Sequence, residues 1–337
     1  VVMTTRSREV LRSGLILTFV ILTAWSGVLS GQPRVKEITF LTNYVFIGRH
    51  APFFVGVEKG FYRDAGFDID ILPATGSTFV ISALEGRQAD YGITEAASLV
   101  QAIGQGASVM AFGVFMDGST SGLASLTPHP TPHSIIGKTV AASLTDSARV
   151  ILPNVLSQSE LNPSGVEWLA ADPGIYFSLL LSGRADLVTA SIDSDVPTLR
   201  RVAEPLGQTI HFSSFAEWGY DVYGYFLVTQ ADRIASDPGE VRAFAAATAR
   251  AVAYAIEHPE EAASIMARHS PTIDEELALA HWQESIRAIT SRPVEEIGYG
   301  LATTERLQRS IDFVAQEFDL RTPPTTSDLY AEGFMPR

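Results

Sequence analysis

At 337 residues, 46% hydrophobic and 18% charged, the chain is too long for one compact core and too apolar for disorder, so two domains are expected. Twenty-four Lys plus Arg stand against 38 Asp plus Glu, and the net charge of −14 repels nucleic-acid phosphate and anionic lipid, so neither is an expected partner. Cysteine is absent, which removes disulfides, iron–sulfur clusters, thiolate zinc sites, a cysteine nucleophile and the lipid-bearing cysteine of a lipoprotein.

Arg6, Arg8 and Arg12 precede an uncharged stretch from Ser13 to Pro33, whose apolar heart from Leu15 to Leu22 has the length of a signal-peptide hydrophobic region. Val28 and Ser30 suit a cleavage site, so residues 1–30 read as a signal peptide and the remaining chain would carry −16. An uncleaved anchor is the alternative, since about twenty uncharged residues just cross a bilayer; Ser26, Gly27 and Ser30 weaken it. Export to the periplasm follows from either route.

Beyond residue 34, short apolar strands alternate with amphipathic helices, the pattern of an α/β fold with mostly parallel sheets flanked by helices. Ile38 and Phe40 mark one strand and Phe67–Ile71 another, with a helix over 51–63 between them and Gly66 as its left-handed cap. Gly76, Ser77 and Thr78 offer a turn and capping hydroxyls before a second helix, either a ligand cradle or plain capping. Leu84–Thr94 is echoed by Leu181–Thr189, each a helix end, a Gly-Arg turn, an Ala-Asp step and a strand closing on threonine. Two lobes of similar build are implied, with a first lobe over 31–126, a second over 127–222, and a return to the first over 223–337 with its C-terminal helices. Val241, Phe244, Thr248 and Val252 make one core stripe, and Thr272–Glu275 has the form of a capping box.

Signatures of hydrolases, zincins and nucleotide loops are missing from the sequence. His129 and His133 sit among prolines and read as a solvated loop, so no metal site and no cofactor are expected. Aromatic residues accumulate instead. Tyr44 and Phe46 follow the first strand, Phe53 and Phe54 follow them, and Trp218, Tyr220, Tyr223 and Tyr225 precede the last crossing. Ligands of open α/β sheets sit beyond the carboxyl ends of strands. Tyr44, Trp218 and Tyr220 are read as stacking faces, and Phe53, Phe54 and Tyr225 as core. Asp193 and Asp195 follow the strand ending at Thr189, where each either accepts from a ligand amine or caps the next helix; Thr94 and Glu95 hold the equivalent place in the first lobe.

The run from His50 to Ile71 resembles the early helix and strand of ABC-transporter substrate-binding proteins of the nitrate, taurine and thiamine-pyrimidine group. Further matches are Gly86–Thr94, Gly122–Leu126, Ile136–Val140, Pro238–Phe244 and Ala255–Ala262. The resemblance implies a two-lobed type II periplasmic binding fold with two crossovers, a cleft that shuts on a small solute, and handover by a monomer to an ABC permease and its ATPase. Asn43 and Tyr44 through His50 are similar to the pyrimidine-binding branch, in which this loop holds an aminopyrimidine, and Asp195 falls where that branch has a carboxylate. An enzyme relative in that branch, the fungal pyrimidine synthase, uses a lysine for pyridoxal phosphate and consumes a histidine. Those positions fall on Thr94 and Ser98, so the chain is expected not to be an enzyme. The expected mechanism is lobe closure on a thiamine pyrimidine precursor stacked on Tyr44 and Trp218 or Tyr220, with Phe46, His50 and Tyr223 nearby. Asn43, Ser77, Thr78, Thr94 and Asp193 or Asp195 would bond it, beside the Gly76 turn and Glu95. A sulfonate such as taurine, or nitrate, would need Arg49 and the Gly76 turn; a flavin-type ring is a third option.

Overall fold

The computed structural model describes residues 35–337 except Thr145 and Pro271. The expected signal peptide lies outside the described residues. Ten strands are β1 (Lys36–Leu41), β2 (Phe67–Leu72), β3 (Tyr91–Glu95), β4 (Val109–Met116), β5 (Ser121–Ser125), β6 (Thr139–Ala142), β7 (Glu167–Ala170), β8 (Leu187–Ser191), β9 (His211–Ser214) and β10 (Tyr225–Gln230). They form two five-stranded sheets, ordered β2-β1-β3-β10-β4 and β7-β6-β8-β5-β9. The two orders are the same. In each the fourth place is taken by a strand that runs against its neighbours and comes from the other half of the chain, β10 in the first sheet and β5 in the second. This is the two-lobed architecture the sequence implies. Its boundary moves, however: β5 was expected in the first lobe and is a member of the second sheet, because its alternation of Leu123 and Ala124 serves the second lobe's two cores.

The echoed segments hold equivalent posts. β3 and β8 are the middle strands, and the aspartate of each Ala-Asp step closes its sheet in the same way. Asp90 Oδ2 accepts from Thr39 N–H, and Asp186 Oδ2 from Thr139 N–H, both at 2.9 Å. A short carboxylate just before a central strand thus fixes the register of the parallel strand beside it, β1 or β6.

The longer helices are α1 (Ala51–Glu58), α2 (Ser77–Glu85), α3 (Ala96–Gly104), α4 (Ala148–Gln158), α5 (Asp195–Ala203), α6 (Pro238–Glu257), α7 (Pro259–His269), α8 (Glu275–Ile289) and α9 (Thr304–Glu317). The helix expected over 51–63 breaks at Gly60, whose φ of 74° is left-handed, and resumes at Phe61–Asp64. The expected capping box at Thr272 is not used; α8 starts later, with Asp274 accepting from Leu277 N–H at 3.0 Å. Both faces of the first sheet are covered, as continuous apolar strands require. Along β10, Tyr225 and Leu227 enter one core and Phe226 and Val228 the other. The first of these cores is built on rings: Phe244 of α6 stacks on Tyr91 at 4.0 Å between centroids and meets Tyr62 at 5.4 Å.

Between the sheets the chain passes through Asp117–Thr120 and back through Phe215–Gly224. The two passages touch where Gly224 N–H donates to Met116 O at 3.1 Å, and a Cβ on Gly224 would collide with the Gly118 carbonyl. Arg306 of α9 binds both, bonding Asp117 and its carbonyl on one and Asp221 on the other, with its guanidinium 4.5 Å above the Tyr223 ring.

Candidate functional site

A cavity of about 320 Å³ lies where loops from the two sheets converge. Asn43, Tyr44, Arg49, Gly76, Ser77, Glu95, Ser98 and Tyr225 line it from the first lobe, and Ser121, Asp146, Ser147, Tyr176, Thr189, Ser191, Ser194 and Asp195 are among those lining it from the second. These are the loop ends where open α/β sheets place ligands.

The first wall is held by a short turn, Gly48–His50, between β1 and α1. His50 is buried: its Nδ1 accepts from Ile47 N–H at 3.3 Å and its Nε2 lies 3.4 Å from Asn43 Oδ1. Burial, with Arg49 beside it, pushes its pKa well below the ordinary imidazole value, so it is neutral at pH 7. Gly48 N–H donates to His281 Nδ1 of α8 at 3.4 Å, and a Cβ at Gly48 would meet the α8 backbone. The turn is thereby pressed against α8, and Arg49 points the other way. Its side chain is 4% exposed, stands 4.8 Å over the Tyr225 ring and pairs with Asp193 Oδ2 at 3.5 Å. Asp193 also accepts from Ser191 Oγ at 2.7 Å and Ser285 Oγ at 3.2 Å. Arg49 Nε and Nη1 have no hydrogen-bond partner.

Ser77 Oγ accepts from Glu95 N–H at 2.9 Å, which ties the start of α2 to the end of β3 rather than capping its own helix. Burial raises the Glu95 carboxyl pKa; Arg49 opposes the rise, and Asp146 and Asp193 add to it. On the second wall Asp146 accepts from Thr189 Oγ1 at 2.6 Å and Ala148 N–H at 2.9 Å. Tyr176 joins this group through Thr189, 3.3 Å away. Asp195, exposed at the mouth, spends one oxygen on Ser191 N–H at 2.7 Å.

Of the residues singled out from sequence, Asn43, Tyr44, Gly76, Ser77, Glu95 and Asp195 line the cavity, and His50 and Asp193 stand directly behind it. Thr94 is buried, its hydroxyl without a hydrogen-bond partner among the described residues. The others lie elsewhere. Trp218 is in the second lobe's core, its Nε1 donating to Pro130 O at 3.3 Å. Tyr220 packs edge-on to Phe313 at 4.6 Å, and Tyr223 packs on Phe226 while its hydroxyl accepts from Thr303 N–H. The segment that carries these rings is the return passage, and it needs apolar bulk to seal against α9. Phe46 packs edge-on to Phe54, and Thr78 is exposed on the first turn of α2. Tyr225, read as core, is both core and cavity wall. Missed altogether were Asp146 and Ser147, although a polar pair before a helix repeats the logic of Gly76 and Ser77.

A family model described as NMT1/THI5 like matches residues 48–262. Two curated relatives are each named 4-amino-5-hydroxymethyl-2-methylpyrimidine phosphate synthase. The protein from Schizosaccharomyces pombe is 29% identical over 91 residues, covering 27% of this chain and 26% of the relative. That from Candida albicans is 22% identical over 259 residues, covering 74% of this chain and 76% of the relative. Among solved structures, the periplasmic aliphatic sulphonate binding protein SsuA from Escherichia coli superposes with a TM-score of 0.68 at 12% identity, over 89% of this chain and 94% of that one. A ligand-binding component of an ABC-type import system from Staphylococcus aureus gives 0.64 at 11%, over 89% and 97%. The fold is therefore that of solute-binding proteins. The expectation that the chain is not an enzyme does not stand against curated relatives that both carry the name of a synthase.

Proposed function

Because the chain belongs to the NMT1/THI5-like family, we propose that its cavity closes on a small aminopyrimidine of the thiamine-precursor kind. We further propose that it acts as an exported monomer that hands this solute to an ABC permease and its ATPase. The observation that carries the reading is the charge of the lining: Glu95, Asp146 and Asp195 supply carboxylates from both lobes, while the one guanidinium, Arg49, is already paired with Asp193. Carboxylates accept from ring N–H and exocyclic amine groups. Tyr44 and Tyr225 offer ring faces, and Asn43 an amide with both donor and acceptor. A volume near 320 Å³ is at the small end of the roughly 300–1,000 Å³ of ligand pockets, which favours a single substituted ring over a fused flavin-type one.

Closure follows from contacts made to both lobes at once. A ligand that touches Asn43 and Glu95 on one side and Asp146 and Asp195 on the other stabilises the shut state by the sum of contacts that the open state splits. The Arg49–Asp193 pair joins the same two walls.

The curated relatives favour a second reading, catalysis at this same cavity. Pyridoxal phosphate is held through a lysine amine, and among the described residues no lysine lines the cavity. Thr94 and Ser98 stand at the positions the resemblance gives to the lysine and histidine of the synthase. The residues present do not fit that cofactor, so a reaction here would run through other groups.

Thermal unfolding with aminopyrimidines, taurine and nitrate, followed by mass spectrometry of the mixtures, separates the readings. A rise in Tm with aminopyrimidines and unchanged ligand mass supports binding. A new mass supports catalysis. A rise with taurine or nitrate alone overturns the pyrimidine reading.

A further inference from the structure

The cavity presents two unmet demands. Arg49 is 3% exposed, yet its Nε and Nη1 bond nothing; Asp193 cancels its charge at 3.5 Å but spends its hydrogen bonds on Ser191 and Ser285. A buried donor without an acceptor is costly, and a group with more than one acceptor oxygen would meet both nitrogens. Both nitrogens are buried, so on the proposed closure that group would have to reach them while the lobes are apart. The carboxylates of the same cavity make the reverse demand. Glu95 makes no side-chain hydrogen bond among the described residues, and Asp195 uses only one of its oxygens. With Asp146 they form an acidic group that calls for a donor or a positive charge.

We infer that the ligand is dipolar: an amine or protonated ring nitrogen sits against Glu95, Asp146 and Asp195, and an oxygen acceptor group on the same molecule sits against Arg49. The inference deepens the proposed function by naming what the amine-bearing ligand must carry at its other end, and it rests on that reading only for the ring. A plain anion fails because, with Asp193 neutralising Arg49, it meets three carboxylates without a cation to answer them. A plain amine binds, but leaves Arg49 unmet.

The test is titration calorimetry with matched pairs. One pair is 4-amino-5-hydroxymethyl-2-methylpyrimidine and its 5-carboxylate analogue; the other is taurine and isethionate, in which a hydroxyl replaces the amine. The carboxylate analogue is expected to bind about ten- to a hundredfold more tightly than the alcohol. Arg49→Gln should erase that advantage, so that the two pyrimidines bind alike. Arg49→Gln with Asp193→Asn keeps the buried pair neutral and gives the same readout should the single variant fail to fold. Equal binding of the two pyrimidines, or an advantage that survives in the Arg49 variants, overturns the inference. Isethionate binding as well as taurine also overturns it. If neither pyrimidine binds but taurine outbinds isethionate and Arg49→Gln weakens taurine, the dipolar site stands and the pyrimidine reading falls.

Discussion

The first lobe brings the rings of Tyr44 and Tyr225 and the guanidinium of Arg49 to the cavity beside Ser77 and Glu95, whereas the second lobe, with the one lining ring of Tyr176, is richer in hydroxyls and carboxylates, in Ser191, Thr189, Asp146 and Asp195. The cores behind the walls differ in the same sense. Phe40, Tyr62, Tyr91 and Phe112 gather around Phe244 in the first lobe, while in the second Leu152, Val155, Val140 and Leu187 pack beside Phe215 and Trp218. Strand order, register and even the Asp90 and Asp186 contacts are shared. Topology thus sets where a ligand can sit, and the residues on the strand ends set what it can be.

The comparison can be broken at its strongest point first. Phe244→Ala should cost about 3–5 kcal/mol in denaturant unfolding, because it empties the centre of the ring cluster; a loss below about 1 kcal/mol would show that the first lobe does not depend on it. Next is Glu317 at the end of α9, half-buried with both carboxylate oxygens unpartnered. Its pKa is pushed up to about 8, by burial first and by Glu95 second. The folded state therefore holds this proton longer than the unfolded chain. Below about pH 4 both hold it and nothing is lost; as pH rises toward 8 the unfolded chain gives it up and stability drains away. Glu317→Gln should restore on the order of 1–3 kcal/mol at pH 8 and nothing at pH 4, read from thermal unfolding at both.

Asp195→Asn tests the acidic wall: affinity for an amine ligand should fall about tenfold or more by calorimetry, with Tm unchanged. Lowering the pH should act in the same direction. Glu95 faces Arg49, Asp146 and Asp193, and Glu317 from behind, and its raised pKa means it takes a proton above the usual carboxylate range. Amine affinity should decline as pH drops through that range and proton release should accompany binding within it; calorimetry in buffers of different ionisation enthalpy reads both. The smallest effect is expected at the mouth. Tyr44 is 49% exposed, so Tyr44→Ala should weaken a ring ligand by about 0.5–1.5 kcal/mol; no change would put the stacking face at Tyr225 alone.

The sheets were legible because their signals are local: alternation in Phe67–Ile71, the Gly66 cap, and the repeated Ala-Asp step each fix a backbone choice within a few residues. Half the candidate site was legible for the same reason, since Asn43, Ser77, Glu95 and Asp195 all sit just past strand ends. What escaped depends on contacts across long separations. That Trp218, Tyr220 and Tyr223 turn away from the cavity is decided by Pro130, Phe313 and Thr303, about 80 to 90 residues away. The membership of β5 in the second sheet rests on pairing with β8, more than sixty residues on. Arg49 was visible only as a charge; its loss of hydrogen bonds needed the packing of Tyr225 and Asp193 around it.

Arg306 ties the outgoing and returning passages to one helix, and the Gly118–Gly224 approach leaves no slack between them. A joint clamped in this way resists sliding and yields to twisting, so under the proposed closure these residues would be its fulcrum. A few degrees of torsion there would become ångströms of gape at the cavity mouth. The time a bound molecule stays inside would then be governed at a point it never touches. Loosening Arg306 should speed capture and escape together, leaving their ratio, and hence the affinity, nearly where it was.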